Sequence, residues 1–101
     1  MGNNDENMVS TSAISEEVVY ITPVNNVLTL KTNGKQHSEI SSATTINLPN
    51  VNSVLDITLF LNCINNIEVT FHTSADNQTV ELDKGYHKIE LSYFGDWIIR
   101  C

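Results

Sequence analysis

Residues 54–63 read VLDITLFLNC, and the fold class is decided there. Leu55, Ile57, Leu59 and Leu61 occupy one parity, while Asp56, Thr58 and Asn62 occupy the other. This is the period-two pattern of a strand with one face in a core. Phe60 breaks the pattern. A large aromatic on the water-facing side predicts that a second layer or another chain covers that side.

Outward from this strand the chain reads as further strands cut by turn residues. On the C-terminal side, Asn65-Asn66 tolerates the left-handed conformation and turns the chain into IEVTFH, where Ile67, Val69 and Phe71 face inward. The polar run TSADN (73–77) precedes a short strand at 79–82, and Asp83-Lys84-Gly85 fits a type I turn with glycine in the bulge position. A strand at 87–93 follows, then a Gly95-Asp96 turn and the closing WIIRC. On the N-terminal side, ATTINL (43–48) is a strand ended by Pro49. Residues 27–32 and 35–40 flank Asn33-Gly34, which predicts a type I′ hairpin because both central residues of that turn need positive φ. The first strand, 17–22, is stopped by Pro23, which cannot donate to a ladder. Nowhere does a 3.6-residue apolar period persist for three turns, so no long helix is expected. About eight short strands at regular spacing predict an all-β fold, a small antiparallel β-sandwich of jelly-roll-like or barrel-like form.

The chain has 101 residues, enough for one core spanning residues 17–101. Residues 1–16 are acidic, polar and poor in large apolar side chains, the composition of an extended N-terminal arm that cannot bury itself. Its substantial hydrophobes, Met8, Val9 and Ile14, are the candidate contacts should the arm order against a partner. The net charge of −7 argues against nucleic acid, whose phosphates need a basic patch, and against an anionic membrane surface. No apolar run reaches the roughly 20 residues of a membrane span. The N-terminus has neither the basic nor the apolar region of a secretory signal. Cys63 and Cys101 are too few for a disulfide framework, and a reducing compartment fits them.

Groups that could converge for catalysis are sparse. His37, His72 and His87 fall on separate predicted strands, without Cys or carboxylate at ligand spacing. No serine sits in a G-x-S-x-G elbow, and most acidic residues take outward parities. Asn77-Gln78-Thr79 matches the glycosylation pattern by chance in a chain this rich in Asn, Ser and Thr. The expectation is a protein that is not an enzyme and uses neither cofactor nor metal. The aromatics carry more information. Phe60 and Tyr86 lie on outward parities and Trp97 follows a tight turn, so each either packs in the other layer of the sandwich or faces a neighbouring subunit. An exposed sugar platform is a further reading of Trp97.

The succession INLPNV, VLDITLF, IEVTF, TVEL, a glycine turn and IELSYFGDW resembles small β-modules of bacteriophage virion proteins, of the tail fibre, head fibre and capsid decoration types. The resemblance covers residues 44–99, with Leu48-Pro49 and Gly95-Asp96-Trp97 as matching architectural positions. It implies a structural module of the virion, made in the bacterial host cytoplasm and often trimeric, attached to a major capsid protein or another virion protein by a short N-terminal segment. The chain lacks the fibrous repeats of long tail fibres, which favours a head fibre or decoration protein over a host-attachment module binding surface glycans. A tail or connector adaptor would read much the same.

Overall fold

The computed structural model describes residues 18–32 and 34–101. The arm 1–16, with Met8, Val9 and Ile14, lies outside the described residues. Nine strands are present among the described residues: β1 (Val19–Tyr20), β2 (Val27–Thr29), β3 (Lys35–Ile40), β4 (Thr44–Asn47), β5 (Leu55–Cys63), β6 (Ile67–His72), β7 (Asn77–Leu82), β8 (Gly85–Tyr93) and β9 (Trp97–Arg100). They form a five-stranded sheet of order β9-β8-β5-β3-β1 and a four-stranded sheet of order β2-β4-β6-β7. The all-β, two-sheet architecture is as the alternating pattern requires.

The sheets are mixed rather than wholly antiparallel. From β1 to β6 the chain alternates between the two sheets, so each strand is laid parallel to the one two places earlier: β1 to β3 to β5, and β2 to β4 to β6. The path is a coil of three windings. Only then does the chain reverse, with β7 antiparallel to β6, β8 antiparallel to β5 and β9 antiparallel to β8. A parallel pair needs a crossover, and here a strand of the opposite sheet supplies it in place of a helix.

This winding overturns the hairpin expected at Asn33-Gly34. Asn33 lies outside the described residues, but β2 and β3 on either side belong to different sheets, and the Gly34 carbonyl accepts from Thr58 N of β5 at 2.7 Å. The segment is a corner between layers. Asp83-Lys84 is likewise a corner, carrying the chain from β7 in one sheet to β8 in the other. The left-handed pair is Asn25-Asn26, with φ of 52° and 62°, rather than Asn65-Asn66. It closes a minimal turn in which Val24 and Val27 exchange both backbone hydrogen bonds at 2.9 Å.

Corners stack on corners. Ser42 Oγ donates to Asn26 Oδ1 at 2.8 Å, Asn65 Nδ2 donates to the Ser41 carbonyl at 3.0 Å, and Lys84 N donates to Asn66 Oδ1 at 2.9 Å. Asn26, Asn65 and Asn66 thus have a local role: short side chains carrying both donor and acceptor bridge neighbouring corners. Between the sheets the core is built from rows of buried side chains, Leu28 beside Ile46 beside Phe71 in one sheet and Leu59 beside Ile89 in the other. Strand β5 lies between β3 and β8, with Ile57, Leu59, Leu61 and Cys63 buried.

Candidate functional site

Two surfaces gather the side chains of interest, one on the outside of the five-stranded sheet and one between the sheets. Across the outer face, register places Tyr20, His37, Phe60 and Lys88 side by side on β1, β3, β5 and β8. The Tyr20 and His37 rings meet edge-on with centroids 5.2 Å apart. Phe60 is half-buried beside them, while Tyr20 is 57% exposed. In the adjoining row Asn62 Nδ2 donates to Glu39 Oε2 at 3.3 Å, and beyond Asn62 comes Tyr86, 82% exposed. On the other flank Glu90 stands between Lys88 and Arg100, at 3.8 and 3.7 Å. Pairs this exposed contribute little to stability. They leave both signs of charge around an aromatic strip.

Trp97 is elsewhere. It pairs with Tyr93 on the inner parity of β9 and packs, partly buried, against the chain's own core, with its ring 5.3 Å from that of Tyr93. Phe60 and Tyr86 therefore share the outer face, and Trp97 does not join them.

Around Trp97 the two sheets part. The inward residues of β7 are progressively less covered along the strand: Leu82 is buried, Val80 half-buried and Gln78 exposed. Opposite them, the inward residues Trp97 and Ile99 of β9 are only half-buried. The wedge so formed is a cleft of about 270 Å³, with Phe71, Trp97 and Ile99 as its apolar lining and Thr73, Asp76, Gln78 and Asp96 as its polar lining. A recess of about 90 Å³ adjoins it, also lined by Trp97, Thr73 and Asp96, and bounded by Pro49 and Tyr93.

The β6–β7 turn at the mouth is held by its own bonds. Thr73 N donates to the Asp76 carbonyl at 2.9 Å, Asp76 N donates to Thr73 Oγ1 at 2.9 Å, and Asn77 N donates to Asp76 Oδ1 at 2.8 Å. On the other lip Gly95, at φ 106°, makes the turn that delivers Trp97 to the wedge.

The three histidines stay apart, as their strands do. His37 meets Tyr20 edge-on, His72 Nδ1 bonds Asn77 Oδ1, and His87 Nε2 meets the Asp83 carbonyl at 2.7 Å. Among the described residues no three of His, Cys, Asp or Glu gather closely enough to hold a metal ion. Burial pushes the Cys63 thiol above its ordinary pKa, so it stays protonated and unreactive. Sequence patterning identified Phe60 and Tyr86, but not their neighbour Tyr20, nor the rim residues Asp76, Gln78 and Asp96. Tyr20 was legible as an aromatic on a short strand. The rim residues were not, because they meet only where the sheets diverge. No family model, curated protein or solved structure matches the chain.

Proposed function

We propose that the chain is a non-enzymatic structural protein of a bacteriophage virion, a head fibre or capsid decoration module that self-associates through the outer face of its five-stranded sheet. The observation that carries the self-association is the aromatic row Tyr20, His37 and Phe60, with Tyr86 and the 40%-exposed Ile98 on the same face. Apolar side chains of this size on one face mark an interaction surface, and aromatic residues are favoured at the centres of interfaces. The occupant is a second copy. Lys88 and Arg100 lie on the same face as Glu39, Asp56 and Glu90, so a heterologous contact about a threefold axis sets the basic residues of one copy against the acidic residues of the next. The trimer and the virion setting rest on the resemblance of residues 44–99 to phage modules. In this reading residues 1–16 anchor the module to a major capsid protein or another virion protein, with Met8, Val9 and Ile14 as contacts.

Solution mass by light scattering tests the assembly. A homo-oligomer, expected to be a trimer, should form in the micromolar range, and Phe60→Asp should yield a monomer whose circular dichroism matches the parent. A parent that stays monomeric at millimolar concentration overturns the self-association. Deleting residues 1–16 should leave the β-domain and its oligomer intact while abolishing incorporation into particles. Undiminished incorporation removes the anchoring role.

A further inference from the structure

We infer that the wedge beside Trp97 is a binding site for a neutral saccharide, with a pyranose ring lying against the indole and its hydroxyls held by Asp76, Gln78 and Asp96. The inference is independent of the self-association above, because the wedge opens between the sheets and the aromatic strip lies outside them.

Along the β7 and β9 margin the inward side chains lose part of their cover: Gln78 is exposed, Trp97 and Ile99 are half-buried, and the fully buried Phe71 backs the cleft. The accessible part of the half-buried indole gives this concave site an apolar surface, the partner for the C–H face of a sugar ring. The polar rim supplies the other half of the requirement. Carboxylates accept from hydroxyls, and the Gln78 amide both donates and accepts.

The volume and the charge narrow the class. About 270 Å³ lies just under the range of roughly 300–1,000 Å³ typical of drug-sized sites, which suits a single ring better than a larger ligand. The adjoining recess of about 90 Å³ shares Trp97, Thr73 and Asp96, and takes a substituent of the ring, such as a hydroxymethyl or N-acetyl group. No Lys or Arg lines either recess, while two aspartates do; phosphate, sulfate and acidic sugars are disfavoured. The backbone of Asp76 is braced by its Thr73 bonds and its Oδ1 accepts from Asn77 N at 2.8 Å, so the carboxylate is placed before any ligand arrives.

Trp97 is the chain's sole tryptophan, so indole fluorescence of the full-length protein, excited at wavelengths tyrosine does not absorb, reports this site alone. Titration with glucose, galactose, N-acetylglucosamine and their β-linked disaccharides should give a saturable change for at least one series. Gln78→Ala and Asp96→Ala each retain the fluorophore and lie on exposed positions, so both should fold normally by circular dichroism. Each should weaken binding about fivefold, the loss expected for one hydrogen bond. Tyr86→Ala, on the outer face, should leave the titration unchanged. Absence of a saturable change with every sugar up to about 100 mM overturns the proposal, since binding weaker than that is not a site. So does unaltered affinity in both rim variants, or tighter binding of choline than of any sugar, which would make the wedge a cation site.

Discussion

Gln36 and Ser38 sit one turn of the pleat apart on β3, both fully buried, and they meet opposite fates. Gln36 faces the core next to Leu59, yet its Oε1 accepts from Lys31 N at 2.8 Å and its Nε2 donates to the Lys31 carbonyl at 2.6 Å. One side chain thereby satisfies both backbone groups of a corner residue from within. Ser38 Oγ has no hydrogen-bond partner among the described residues. A buried polar group that loses its partner costs about 1–3 kcal/mol. Gln36→Leu should therefore lower the unfolding free energy by about that amount, despite adding apolar surface. Ser38→Ala removes an unpaired hydroxyl and should be neutral or stabilise by up to about 1 kcal/mol. Urea denaturation of the two variants separates these outcomes. The polar run KQHSEI did not mark either position as inward, and neither fate was legible there, because each depends on which corner folds back over the strand.

At the scale of elements, the turns decide the topology. A type I′ hairpin was expected at Asn33-Gly34, but the strands on either side of it belong to different sheets; among the described residues the adjacent pair with positive φ is Asn25-Asn26. Asparagine adopts the left-handed region more readily than other residues with a side chain, and a β-branched residue there is strained by about 1–2 kcal/mol. Asn25→Val should destabilise the protein by about that much in thermal or urea unfolding, whereas Asn25→Gly should be nearly neutral. Equal effects of the two would show that the turn does not depend on left-handed backbone. Asn33-Gly34 does not make a hairpin because the strands it joins each find a partner elsewhere. Val27–Thr29 pairs with Thr45–Asn47 and Lys35–Ile40 pairs with Thr58–Cys63, and those long-range ladders outweigh a local preference. The Gly95 turn, by contrast, joins two strands that stay neighbours, and there the local signal and the structure agree.

For the whole molecule, the coil of parallel windings concentrates stability in its middle. Strand β5 is paired along both edges, to β3 over six residues and to β8 over nine, while β1, β2, β7 and β9 stand at sheet margins. Backbone groups paired on both sides and flanked by buried leucines open only when the whole domain does. Native-state hydrogen exchange should find the slowest amides at Leu59 and Leu61, and faster exchange in β1 and β9. Comparable protection in β1 would mean that something covers that edge, as the self-association proposed here would do. The windings are an internal repeat that its own irregularity conceals. Val19 lies beside Gln36 and Lys35 beside Thr58, offsets of 17 and 23 residues, so no fixed period recurs along the chain.

By itself the sequence determined the strands, their inward parities, the nearly isolated histidines and the outward placement of Phe60 and Tyr86. These follow from the two-residue period of side chains and the conformational limits of Pro, Gly and Asn, which act within a few residues. Only the tertiary structure decided that the first six strands run parallel in alternating sheets, that Tyr20 and His37 complete the row of Phe60, and that Trp97 lines a wedge instead of an outer face. Each of these depends on which strand lies beside which, and on where two twisted sheets part. Pairing between segments some 20 residues distant is settled by the burial of the whole core, and no local pattern records it.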